Sequence, residues 1–191
     1  MGNRLIWFTG LSGSGKTTMA VAMAERYGCE ILDGDNIREF FSNQDFTPEG
    51  REKHLLGVAR LAKLLLKHTS VVCAFISPYE SVREKILDIL PANAVMVYVS
   101  TPLEVCEKRD VDGLYAKARA GEISNFTGIS DPFDEPKCAH HVIDCSSGGE
   151  ETIQRHVDSF SHLFEKPKAV FIRSEERRVG KECRSRWSPY H

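Results

Sequence analysis

The sequence predicts an α/β chain in three layers: a five-stranded parallel sheet, helices on both of its faces, and a lid. Three observations predict it. Short apolar, β-rich runs alternate with helical patterns, the signature of a parallel sheet covered on both sides. The first run, Leu5-Ile6-Trp7-Phe8, leads directly into a glycine-rich turn that opens a helix-forming stretch. Residues 112–136 are rich in glycine, charge and turn formers and too long for a simple connection, so they read as the lid.

Strands are expected over 4–9, 30–33, 71–76, 95–100 and 141–144. A helix over 16–27 is stopped by Gly28, which accepts the left-handed backbone of a helix end. A longer helix over 48–68 starts at Pro48 behind the capping residue Thr47. Within it Leu55, Val58, Leu61, Ala62 and Leu65 fall at helical spacing and form a core-facing stripe. Helices over 79–90, 102–109 and 150–164 complete the wrapping, and Asp33-Gly34 after the second strand reads, at its simplest, as a turn with a helix cap.

At 191 residues and 41% hydrophobic content the chain suits one domain with one core. A formal net charge of −2 argues against general nucleic-acid binding, which takes a clustered basic face. The longest apolar runs, 71–76 and 94–99, fall far short of the ~20 residues of a membrane helix, and no apolar signal region precedes the first strand. A cytoplasmic protein without membrane contact is expected. Six cysteines, Cys29, Cys73, Cys106, Cys138, Cys145 and Cys183, form no C-x-x-C pair and read as free thiols. The group Cys138, His140, His141, Cys145 lacks the spacing of an ordinary zinc finger or ribbon. Residues 173–191 break the pattern and resemble the in-frame translation of a sequencing adapter, so the expected domain is 1–172 with a non-native tail. Oligomeric state is left open, a homodimer being compatible with the sequence.

The turn Gly10-Leu11-Ser12-Gly13-Ser14-Gly15-Lys16-Thr17-Thr18 fits the Walker A pattern, and with the alternating elements it points to a P-loop NTPase-type fold. Its glycines let backbone N–H groups close around phosphate oxygens, helped by the amides of the following helix. Lys16 would lie along the β- and γ-phosphates, and the Thr17 hydroxyl would hold Mg²⁺. After the second strand, Asp33-Gly34-Asp35-Asn36-Ile37-Arg38 brings two carboxylates and a guanidinium to the carboxyl edge of the sheet, where ligands bind in this fold class. Asp33 suits the orientation of a Mg²⁺-bound water, Asp35 suits the general base for an attacking hydroxyl, and Arg38 suits a bidentate hold on an anionic acceptor. Val142-Ile143-Asp144 resembles a Walker B strand but follows the lid, so Asp144 takes no metal role.

The segments GLSGSGKTT, DGDNIR, FISPY (75–79), TPLEVCEKRD (101–110), GLYAKARAGEI (113–123) and NFTGISDPFDEP (125–136) together resemble the adenylylsulfate kinase (APS kinase) family over about residues 4–165. The resemblance implies transfer of the ATP γ-phosphoryl group to the 3′-hydroxyl of adenosine 5′-phosphosulfate, the second step of sulfate activation, with Mg²⁺ as cofactor. It implies that Ser77 hydrogen-bonds the acceptor in a direct in-line transfer, and that Phe46 and Phe126 sandwich its adenine. Arg51 is implied near the phosphosulfate, with His54 and Ile129 on the acceptor side and Arg109, Lys117 and Arg119 as lid cations around the transferring group. Departures exist. The family's Asn-Ile-Arg-Arg in the second helix is His54-Leu55-Leu56-Gly57 here, a lid tyrosine is Phe133, and one basic lid residue is Asp112. Two other classes fit parts of the pattern: a kinase of another nucleotide or small hydroxyl acceptor, and a nucleotide-binding module without turnover. The sequence carries no Asn-Lys-x-Asp guanine signature and retains Lys16, Thr17, Asp33 and Asp35, which counts against the last.

Overall fold

A computed structural model describes residues 2–164; the boundary expected at 172 and the tail lie outside them. Strands β1 (Leu5–Thr9), β2 (Glu30–Asp33), β3 (Val71–Ala74), β4 (Val95–Val99) and β5 (His141–Ile143) form one parallel sheet in the order β2-β3-β1-β4-β5. Alternation along β1 sends Leu5 and Trp7 to one face and Ile6 and Phe8 to the other, and all are fully buried, which is why the run shows no polar alternation. Helices α3 (Pro48–Leu65) and α4 (Glu80–Ile89) cover the first face through Leu55, Val58, Ala59, Ala62, Val82 and Ile86. Helices α1 (Lys16–Tyr27) and α7 (Glu150–Ser159) cover the other through Met19, Ala20, Met23 and Val157.

Four features differ from the sequence reading. Helix α2 (Gly34–Phe40) follows β2 outside the expected helix ranges, and the Asp33 carboxylate caps it by accepting from the Asp35 N–H at 3.2 Å. α3 ends at Leu65 rather than 68. The last helix breaks into α7 and α8 (Ser161–Phe164), where the Ser159 hydroxyl donates back to the His156 carbonyl at 2.6 Å and Phe160 turns in against Phe8. Between α5 (Leu103–Arg109) and β5, the lid contains a helix, α6 (Leu114–Arg119). The Asp110 carboxylate caps it from outside, accepting from the N–H groups of Tyr115 at 2.8 Å and Ala116 at 3.1 Å. Among the described residues no helix is long and apolar enough to cross a membrane.

The crossing from β1 into the phosphate loop is tightly built. Gly10 has φ +151°, and a Cβ there would stand 2.6 Å from the Val99 carbonyl oxygen, backbone that cannot step aside. Gly10→Ala is therefore expected to cost about 2–4 kcal/mol, read as a lowered urea midpoint. Gly57→Ala is the control: Gly57 lies within α3 with open space around its Cα, so its midpoint should hold or rise. Equal midpoints for the two variants would contradict this account.

Candidate active site

The loop between β1 and α1 is braced through its carbonyls. Those of Leu11, Ser12, Gly13 and Ser14 accept in turn from Lys16 Nζ at 2.7 Å, Tyr115 Oη at 2.9 Å, Arg109 Nη1 at 3.0 Å and Thr101 Oγ1 at 2.8 Å. Across a trans peptide the next N–H points the opposite way, so holding the Ser12 and Ser14 carbonyls from outside turns the Gly13 and Gly15 N–H groups inward. That is the arrangement a phosphate needs. Lys16 is only 8% exposed, and burial pushes its ammonium down to about 8, against the opposing pull of Cys106, Asp33 and Asp35.

Strand register brings the carboxylates alongside. Asp33 pairs with Ala74, which pairs with Phe8, so the end of β2 stands level with the end of β1. Asp33 Oδ2 accepts from Thr17 Oγ1 at 2.8 Å. Burial first, then the charges of Asp33 and Asp112, raise the Asp35 carboxyl above its ordinary range, while Lys16 and Arg38 act the other way.

Beyond the carboxylates lies a cationic and aromatic pocket. Two guanidinium groups approach the Phe46 ring, Arg38 at 4.2 Å and Arg51 at 5.7 Å from its centre. Arg38 donates to the Asp45 carbonyl at 3.2 Å, and Arg51 to those of Phe46 at 3.0 Å and Asn125 at 2.5 Å. His54 is 5% exposed between Phe41 and Phe75, and its Nε2 has no hydrogen-bond partner among the described residues. Burial and the charge of Arg38 bring it down to about 4, so its imidazole is neutral. Ser77 follows β3 with the left-handed φ of 46°. Trp7 Nε1 donates to its hydroxyl oxygen at 3.0 Å and Arg83 Nη1 to its carbonyl at 2.6 Å, leaving the hydroxyl hydrogen for the cavity. Phe126 meets Tyr115 edge to face at 4.9 Å.

One cavity of about 1380 Å³ is lined by Ser12, Gly13, Gly15, Lys16, Thr17, Thr18, Asp33, Asp35, Arg38, Phe46, Arg51, His54, Ser77, Arg109 and Phe126. It exceeds the ~300–1,000 Å³ of a pocket for one small molecule, leaving room for two nucleotides. Gly10, Leu11 and Ser14 belong to the loop but are not among the residues that line the cavity. Of the expected lid cations, Lys117 and Arg119 lie outside the lining, and Arg119 pairs with Glu107 at the surface. The phase of α6 turns Tyr115 and Ala118 inward and those two outward. Ile129 is likewise outside the lining. Arg109 donates to the Gly13, Cys145 and Ser146 carbonyls, tying the phosphate loop to the segment after β5.

Several residues escaped the sequence reading. Tyr115 and Thr101 brace the loop from far along the chain. A latch holds the lid to the start of α4: Tyr79 Oη donates to Asp131 at 2.8 Å, and the buried Arg83 bridges Glu80 at 2.6 Å and the Asp134 carbonyl at 2.7 Å. Phe133, at the position of the family tyrosine, stacks on Tyr98 at 5.9 Å. The far end of the cavity is lined by Val21, Ala22, Ile153 and Gln154 of α1 and α7. Thr17 and Asp33 offer hard oxygen donors, the type that Mg²⁺ takes.

Residues 3–144 match the family model described as adenylylsulphate kinase. An adenylyl-sulfate kinase of Bacteroides thetaiotaomicron is 45% identical over 171 residues, covering 85% of each chain. One from Shewanella baltica is 48% identical over 152 residues, covering 75% of this chain and 74% of its own. Among solved structures, the Mycobacterium tuberculosis APS kinase CysC in complex with AMPPNP and APS aligns with a TM-score of 0.76 at 34% identity, covering 86% of this chain and 99% of its own.

Proposed function

The chain belongs to the adenylylsulphate kinase family, and on that premise we propose a residue-level mechanism for transfer of the ATP γ-phosphoryl group to the 3′-hydroxyl of adenosine 5′-phosphosulfate. One observation carries it: a single cavity joins the phosphate loop, the Asp33/Asp35 pair and the Arg38-Phe46-Arg51 pocket. The triphosphate lies on the loop, and Lys16 leaves the Leu11 carbonyl for the β- and γ-phosphate oxygens. Thr17, and Asp33 through a water, would hold Mg²⁺, which when bound would neutralise charge on the phosphates. The acceptor adenine stacks between Phe46 and Phe126 while Arg38 and Arg51 hold its phosphosulfate.

Asp35 accepts the proton of the 3′-hydroxyl as that oxygen bonds to the γ-phosphorus, and the bond to the β–γ bridging oxygen breaks to release ADP. Ser77 donates to the acceptor and orients it; covalent help is unnecessary where positioning and charge neutralisation lower the barrier. A cytoplasmic setting suits an enzyme that draws on ATP. The test is a coupled assay with ATP, Mg²⁺ and micromolar adenosine phosphosulfate, expected to yield the 3′-phosphorylated product and ADP. Absence of that product, or a far higher kcat/KM with another hydroxyl acceptor, would overturn the assignment.

A further inference from the structure

We infer that Tyr115 is a positioning residue that couples the two halves of the cavity, so that a triphosphate on the phosphate loop tightens binding of the acceptor nucleotide. The inference rests on reading the cavity as a site for two nucleotides. Tyr115 is 3% exposed and bonds at both ends: its hydroxyl donates to the Ser12 carbonyl at 2.9 Å, and its ring meets Phe126 edge to face at 4.9 Å. One side chain therefore touches both the peptide that presents the Gly13 N–H to phosphate and the aromatic platform for the acceptor base.

Each end is held by several hydrogen bonds. The Asp110 carboxylate fixes the start of α6, and Arg109, one residue earlier, holds the adjacent Gly13 carbonyl. At the other end the Phe126 carbonyl accepts from the N–H groups of Ile129 at 3.1 Å, Ser130 at 3.0 Å and Asp131 at 3.1 Å, making a closed turn. Gly128 of that turn rests against Leu11, where an added Cβ would stand 3.0 Å from the leucine methyl. The Phe126 platform and the phosphate loop are thus packed against each other, with Tyr115 as the polar link.

The sign of the coupling follows from peptide polarisation. When Gly13 N–H donates to a phosphate oxygen, the Ser12 carbonyl of the same peptide becomes a better acceptor, and the hydrogen bond from Tyr115 strengthens. Burial keeps the Tyr115 phenol protonated well above its ordinary range, so it remains a donor. A firmer Tyr115 restricts the ring it supports. The ordering cost of stacking a base on Phe126 then falls, which is positive cooperativity. By reciprocity the acceptor tightens the triphosphate by the same factor.

The test measures adenosine phosphosulfate affinity by calorimetry, with and without a saturating non-hydrolysable ATP analogue, in the full chain and in two variants. The wild type is expected to bind the acceptor at least about fivefold more tightly when the analogue is present. Tyr115→Phe, which keeps the ring and removes the hydroxyl, should reduce that factor below about twofold while the acceptor alone binds nearly as before and the analogue alone binds more weakly, because the Ser12 carbonyl loses its brace. Phe126→Leu should lose the coupling too, with weaker acceptor binding in both states, and it decides the matter if Tyr115→Phe fails to fold. An uncoupled wild type, or either variant with undiminished coupling, would overturn the inference. A wild type that binds the analogue but no adenosine phosphosulfate would instead remove the acceptor assignment on which it stands.

Discussion

Asp35→Asn is expected to lower kcat by about 10²–10⁴-fold while leaving the KM for ATP within a few-fold of wild type. Asparagine keeps the size and one oxygen of the side chain but cannot take the proton from the acceptor hydroxyl. The wild-type pH profile supplies a second signature. Burial and the neighbouring Asp33 and Asp112 raise the Asp35 carboxyl, and a base works only when deprotonated, so activity should fall with acidification at a pH above that of an ordinary carboxylate. Asparagine should abolish that limb. Stability moves the opposite way. A carboxyl whose folded pKa is raised holds its proton better folded than unfolded, so its ionisation at neutral pH counts against the fold. The variant should melt at or above the wild-type temperature. Asp33→Ala is the contrast: it removes the cap of α2 and the Thr17 contact, and should lose about 1 kcal/mol of stability along with activity. Loss of only a few-fold in kcat for Asp35→Asn, or an unchanged acid limb, would refute the base role.

The donor half of the site was legible because its chemistry is contiguous. Gly10 through Thr18 is one turn between one strand and one helix, and α1 and β2 occupy the residues their sequence patterns predict. The two-sided burial of β1 was equally plain from a run without polar alternation. What the sequence hid depends on contacts across long separations or on unusual caps. α2 and α6 are each started by an aspartate: Asp33, directly before its helix, is an ordinary cap, whereas Asp110 stands several residues ahead of α6 across a glycine, a spacing that no simple capping rule flags. The break after Ser159 comes from a hydroxyl bonding backwards, which composition does not reveal. In the lid, three cations looked equivalent. Only the phase of α6 separates Lys117 and Arg119, which face solvent, from Arg109 on the preceding helix, which reaches the phosphate loop. The carbonyl braces Thr101 and Tyr115 lie 87 and 103 residues from the groups they hold, so nothing local in the sequence connects them.

Lys16 carries the other large expected effect, and it is readable as a pH dependence before any mutation is made. In the free protein burial holds the ammonium down to about 8, well below an ordinary lysine, because few solvent dipoles remain to stabilise its charge. A bound triphosphate reverses this: its charge at contact distance favours the protonated amine and raises the pKa again. The free protein therefore loses the proton as pH rises through about 8, while the complex keeps it to higher pH. In the interval between the two values, binding must take up one proton. Affinity for an ATP analogue should be flat below about pH 7.5 and then weaken by up to about tenfold per pH unit. Calorimetry in buffers of different ionisation enthalpy should register the proton taken up. Lys16→Met should bind without that pH dependence and show kcat/KM for ATP reduced by about 10²–10³-fold, the usual loss on removing one fixed charge from a transition state that develops negative charge. A wild-type affinity constant across this range would mean that Lys16 stays charged in the free protein. The hydrogen bond to the Leu11 carbonyl would then be that of an ammonium already poised for phosphate.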